Sequence, residues 1–179
     1  MEKIKWLIIN YNLPSEPSRY RVAVWRGLKK LGAINIQQSM WVLPSSESNY
    51  SSLQKISQEI ESNMGEALLM ESEFIEQKQE ERIVSIFNTV RDDEYQECIH
   101  ECEKYIKEIE KEIAKEKFTF AELEEEEAEL EKLSSWYKQI EGRDTFKASR
   151  ENQAKEIVTV IRTIFENYSE MVYNKEVKE

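Results

Sequence analysis

Glycine and proline are scarce in this chain, with 4 and 3 in 179 residues, and Pro14 and Pro17 both lie before residue 20. An all-β sandwich or barrel needs many more of them at its turns, so that class is excluded. No apolar run approaches the roughly 18 residues of a membrane span. The opening Met1-Glu2-Lys3-Ile4-Lys5 shows no signal-peptide pattern. A soluble, cytoplasmic protein with no membrane partner is expected. The 2 cysteines, Cys98 and Cys102, are too few for a disulfide framework. They sit four apart in a helical pattern, where side chains stack instead of pointing at each other, so reduced thiols are expected. There is 1 histidine and no glycine-rich phosphate loop. No set of nucleophile, base and orienting group can then be assembled, so no catalytic residue is assigned and no cofactor is expected.

Charge is what the chain has in excess: 34% of residues are charged, against about 25% in an average globular domain, while 40% are hydrophobic. The length suits one ordinary domain, or a small domain carrying an appendage. The formal net charge of -11 is unevenly spread. Residues 1–44 hold seven bases (Lys3, Lys5, Arg19, Arg21, Arg26, Lys29, Lys30) against two acids (Glu2, Glu16), a net of +5 that leaves -16 for the remainder. A basic head on an acidic body suits either a head that meets an anion or an assembly in which head meets body.

The head reads as alternating elements. Lys3 to Leu13 contains the run Trp6-Leu7-Ile8-Ile9, as in a strand buried on both faces. Pro14 and Pro17 break it, and Ser15 or Ser18 is placed to cap a helix that presents Val22, Trp25, Leu28 and Leu31 at spacing three. Gly32 closes that helix. Two short apolar pieces, Ile34 to Ile36 and Met40 to Leu43, flank Gln37-Gln38-Ser39 as a hairpin or one bent strand. Tyr50, Leu53, Ile56, Ile60 and Met64 recur at helical spacing, Gly65 supplies the stop, and Ala67 to Met70 is a last strand. The order β-α-β-β-α-β over residues 1–75 is the ferredoxin-like split arrangement of an α+β fold.

From residue 76 to 179 the pattern is helical, with Gly142 the single glycine and no proline. One stripe runs Ile83, Ile86, Phe87, Val90, then, past the polar Arg91-Asp92-Asp93, through Tyr95, Cys98, Cys102, Tyr105, Ile109 and Ile113. A second opens with Thr119 and Glu122 spaced as a capping box and continues through Leu123, Leu130, Leu133, Tyr137 and Ile140 to Gly142. A third holds Ala154, Ile157, Val158, Ile161, Ile164, Phe165, Tyr168 and Val172. Such helices bury their stripes as an antiparallel bundle or long hairpin. Glu124 to Glu127 reads as a solvated face.

Two groups of side chains are candidates for function. Arg19, Arg21, Arg26, Lys29 and Lys30 lie on or beside the first helix, where their heads must face water or an anionic partner such as DNA or an oxyanion. The Arg91-Asp92 and Arg143-Asp144 pairs stand at junctions between helical stretches, which suits capping or interhelical bridging, with anion sensing by Arg91 and Arg143 the alternative. Trp25 and Trp41 fall on the apolar side of their elements and read as core. Cys98, Cys102, His100 and the acids Asp92 to Glu94 do not make a metal site, because His100 lies about 200° around the helix from Cys98.

The strings WLIINYNLPSEPSRYRVAVWRGLKKLGAINIQQSMWVLP, FNTVRDDEY, KFTFAELEEEEAELEKL and GRDTF occur in one order, and together they resemble the N-terminal domain family of the chromate-resistance protein ChrB over nearly the whole chain. The resemblance implies a ferredoxin-like head with a helical extension, encoded with chromate efflux. In longer relatives it implies a chromate-responsive transcriptional regulator. Residues 6–43 are more distantly similar to small CRISPR-associated adaptation nucleases and to the C-terminal part of PaaX-type repressors. In those nucleases the first strand ends in a metal-binding Asp. Asn12 stands there in this chain, and a neutral amide lacks the anionic oxygen that holds a divalent cation.

Three functions are thereby set against each other. The first is a non-enzymatic regulatory or accessory module that meets DNA or a small oxyanion such as chromate and acts as a homodimer. The second is a metal-dependent nuclease on the same scaffold. The third is a protein-interaction scaffold with no nucleic-acid partner.

Overall fold

Residues 3–178 are described here by a computed structural model. The element order is β1 (Trp6–Asn12), α1 (Ser18–Leu31), β2 (Ile34–Gln37), β3 (Met40–Pro44), α2 (Glu47–Ser62), β4 (Glu66–Ser72), α3 (Gln77–Ala114), α4 (Phe120–Arg143) and α5 (Glu151–Lys178). The α+β expectation therefore holds, with a four-stranded antiparallel sheet followed by long helices. The chain divides into two compact units, Met1–Ile86 and Phe87–Glu179. No helix among the described residues is long and apolar enough to cross a membrane.

In the first unit the sheet order is β2-β3-β1-β4. The apolar run of β1 takes a central place, with β3 and β4 satisfying its backbone groups on both edges; Trp6, Leu7 and Ile9 are buried while Ile8 is half-buried. Leu7 opposes Leu43 and Ile9 opposes Trp41 on β3, while Ile9 also opposes Leu69 and Ile8 opposes Met70 on β4. β2 and β3 form the expected hairpin, with an irregularity between Asn35 and Gln37. The Asn35 side-chain amide donates to the Gln38 carbonyl at 2.6 Å and stabilises the turn, where Gln38 takes φ 39°. At the other end of the sheet, the indole N–H of the fully buried Trp6 donates to Glu80 at 2.9 Å.

The helix α1 is rotated from its expected orientation. Val24 and Leu28 are buried at 1% and 0%, whereas Val22 and Trp25 are 41% and 48% exposed. The cause is geometric: three residues turn the helix by 300°, so a row at spacing three slides 60° per step and leaves its face within two turns. Spacing four, from Val24 to Leu28, keeps the row on the buried side. Neither Ser15 nor Ser18 caps this helix, since Pro17 occupies the N-cap position and no side-chain cap bond forms. Gly32 closes it at φ 80°, with its neighbour Ala33 donating to the Leu28 carbonyl.

In α2, Leu53, Ile56 and Ile60 face the core, and Ser46 caps the start by accepting the Asn49 N–H at 3.1 Å. The left-handed residue after α2 is Met64, at φ 61°, and not Gly65. Gly65 answers a different need: a Cβ there would stand 2.5 Å from the Asn12 carbonyl oxygen and 2.7 Å from Ile60.

The second unit is a bundle of three helices. From α3 come Tyr95, Cys98, Ile99, Cys102, Tyr105 and Ile109, which meet Leu130, Leu133, Tyr137 and Ile140 of α4 and Ala154, Val158, Ile161, Tyr168 and Val172 of α5. α3 continues unbroken through Arg91, Asp92 and Asp93, so these residues do not form a junction. Both cysteines are reduced and fully buried in the seam, as expected. Thr119 caps α4 by accepting the Glu122 N–H at 3.3 Å. Gly142 lies inside α4, which runs one residue further before Asp144 ends it.

Candidate functional site

The sequence of α1 contains no acid, and its bases Arg19, Arg21, Arg26, Lys29 and Lys30 are all exposed. Since Val24 and Leu28 fix which side faces inward, residues four apart form rows on the outer side. Arg21, Trp25 and Lys29 make one row, and Val22, Arg26 and Lys30 make the row beside it. Lys29 and Lys30 occupy the last turn, where the partial negative charge of the helix end favours cations. The Arg19 guanidinium sits 4.9 Å from the Tyr20 ring centroid and donates to its hydroxyl at 3.0 Å. Lys29 Nζ is 6.0 Å from the ring of Trp41, which is buried as expected. Among the described residues none of the five bases has a carboxylate within 4.0 Å. This is notable in a chain with 36 acids, and in the helical unit six lysines, Lys104, Lys111, Lys115, Lys117, Lys132 and Lys147, each pair with a glutamate.

Trp25 corrects the expectation of a core residue. It is 48% exposed between Arg21 and Lys29. A large amphipathic ring flanked by cations can stack on a base or seat an apolar group while the cations hold phosphates. Reading the spacing-four row instead of the spacing-three row would have revealed it.

Arg91 and Arg143 are built into a different arrangement. Arg91 is 2% exposed, with Nε 3.1 Å from Glu94 Oε2, though not in hydrogen-bond alignment. Arg143 donates from Nε and Nη2 to the two oxygens of the same Glu94, at 3.3 and 2.9 Å. Burial lowers the pKa of Arg91, opposed by the Glu94 charge. Asp144, 4% exposed, accepts the Tyr95 hydroxyl at 3.1 Å and the Ala148 N–H at 3.1 Å. Asp92 accepts the Arg150 N–H at 2.8 Å and the Ser149 hydroxyl at 3.0 Å. These groups bridge α3 to the α4–α5 connection, and Glu94 serves both arginines. An unfilled donor remains at Arg91 Nη1, and an unfilled acceptor at Asn88 Oδ1, three residues earlier on the same helix.

The acidic run of α4 is not wholly solvated. Glu126 is 6% exposed, beside Tyr105 and Glu108 of α3. Burial, reinforced by the neighbouring glutamates Glu108, Glu125, Glu112 and Glu122, raises its pKa to about 7. The signal was present in the spacing, because Glu126 falls between Leu123 and Leu130 on the buried stripe. His100 is exposed, with Nδ1 3.8 Å from Glu103, away from the buried thiols. Among the described residues no three His, Cys, Asp or Glu side chains converge on a point that could hold a metal. Asn12 ends β1 opposite Glu66.

The profile of a family described as "Protein ChrB, N-terminal" matches residues 21–179. A curated relative named Protein ChrB, from Cupriavidus metallidurans, is 28% identical over 96 residues, which are 54% of this chain and 29% of that relative. The chain thus spans less than a third of the length of the curated relative it matches. No solved structure matches at comparable significance.

Proposed function

Because the chain belongs to the ChrB N-terminal family, we propose that it is a non-enzymatic regulatory or accessory module of chromate resistance whose helix α1 holds the phosphate backbone of DNA. The observation that carries this reading is the set of five exposed bases on α1, unmatched by any carboxylate among the described residues, around a half-exposed Trp25. Their spread favours DNA over a small oxyanion such as chromate at this face. Arg19 and Lys30 are eleven residues apart, or about 16 Å at 1.5 Å per residue. One tetrahedral anion meets two or three donors at once, whereas a backbone presents successive phosphates along such a length.

The test is fluorescence anisotropy with a fragment of its own promoter over a series of salt concentrations. Five phosphate contacts give a slope of log affinity on log salt of about -4.5, at roughly -0.9 per contact. Replacing Arg19, Arg21 and Arg26 by Ala should remove about three-fifths of that slope. Absence of binding at low salt, or a slope unchanged by the triple substitution, overturns the reading.

A further inference from the structure

β4 is an edge strand, since the sheet order leaves β1 as its one neighbour. Among the described residues its outer backbone groups make no ladder bonds. A seven-residue edge with free N–H and C=O groups is a template for another strand unless something blunts it. It has no proline and no lysine, pairs with β1 without a break in register, and carries its two acids, Glu66 and Glu71, outside the apolar centre Leu68-Leu69-Met70. Apolar side chains are exposed along this edge. Leu68 is 64% exposed, Met70 42%, and Tyr50, which shares a groove with Leu69 and Met70, is 46% exposed.

The sequence of β4, Glu66-Ala67-Leu68-Leu69-Met70-Glu71-Ser72, decides what can pair with it. Set antiparallel to itself with Leu69 opposite Leu69 of a second copy, it places Leu68 opposite Met70, Ala67 opposite Glu71 and Glu66 opposite Ser72. Every central apolar residue meets an apolar partner, and no acid meets an acid. Moving the centre by one residue destroys this match. Centred on Leu68, Glu66 would oppose Met70; centred on Met70, Leu69 would oppose Glu71. Directly opposed residues share a sheet face, so the match places Leu68 and Met70 of both copies side by side. Glu71 is moreover already engaged within its own chain, accepting the Ser45 hydroxyl at 2.6 Å and lying 3.6 Å from Lys5 Nζ.

We propose that two copies of this chain associate through β4, antiparallel and centred on Leu69, to form a two-fold symmetric dimer with a continuous eight-stranded sheet. Such a contact is isologous and closed, so it ends at two copies instead of running on as a fibre. The inference does not depend on DNA binding by α1.

Sedimentation equilibrium of the full chain tests it with two variants of equal polarity. The double substitution Leu68→Lys and Met70→Lys places lysine opposite lysine in both rows, and should weaken dimerisation by about tenfold or more. Leu68→Lys with Met70→Glu places lysine opposite glutamate in both rows, and should retain the dimer. Both positions are exposed, so unchanged circular dichroism is expected and verifies that each variant is folded. In a third variant, Leu69→Cys, the new thiols meet at the two-fold axis and should cross-link on mild oxidation, while Cys98 and Cys102 stay buried. A monomeric wild-type chain, a dimer equally tight in the lysine pair, or equal loss in both double variants would each overturn the proposal.

Discussion

Replacing Glu126 by Gln should stabilise the protein at alkaline pH and leave it unchanged in acid. The residue is 6% exposed. Facing it are Tyr105, Glu108 and Glu112 from α3, Glu122 and Glu125 from its own helix, and Tyr168 from α5. Among the described residues no base lies within 4.0 Å of it. Its pKa rises from 4.5 to about 7 on folding, mainly through burial. The sign follows directly: between those two values the folded chain binds the extra proton, so stability falls as pH rises from 4.5 to about 7 and is flat above. At 1.36 kcal/mol per unit, the ionised carboxylate costs about 3 kcal/mol at pH 8. Gln keeps the shape and removes the charge. The difference in melting temperature between variant and wild type should therefore be near zero at pH 4.5 and grow to about 6–12 °C at pH 8, at roughly 2–4 °C per kcal/mol for a chain of this size. Thermal melts followed by circular dichroism at half-unit pH steps measure it. A difference that does not change with pH would show that Glu126 ionises as freely in the fold as in water.

Three further outcomes follow from single contacts. Asp144→Ala strands the buried Tyr95 hydroxyl and the Ala148 N–H, and should cost about 2–3 kcal/mol in urea denaturation. On α1, Leu28→Ala should destabilise by about 2–5 kcal/mol, whereas Trp25→Ala should change stability by less than about 0.5 kcal/mol yet weaken DNA binding in the anisotropy assay. Gly65→Ala forces a methyl group to within 2.5 Å of the Asn12 carbonyl, so a lowered melting temperature with a shift of the Asn12 amide resonance in NMR is expected.

The order of elements was readable because apolar runs and apolar stripes differ in period, and Gly32 and Thr119 mark helix ends by local chemistry alone. The facing of α1 was not readable by the same means, because two apolar rows compete on it and only tertiary packing selects between them. Arg91 was misplaced for a related reason. Three polar residues in a row suggest a break, yet a helix tolerates them when one is buried against a carboxylate, here Glu94, and another receives the N–H of Arg150. The basic residues of α1 were found from composition, but their lack of carboxylate partners among the described residues depends on where 36 acids come to rest, which only three dimensions decide.

The two thiols of the second unit, both at 0% exposure, have a bearing on redox chemistry. High-valent metal oxyanions are consumed by sulfhydryls they can reach, being reduced as the sulfur is oxidised. With both sulfhydryls closed inside the helical seam, oxidation at these two sulfurs has to wait for the seam to open, so the folded chain shields them from such an oxidant.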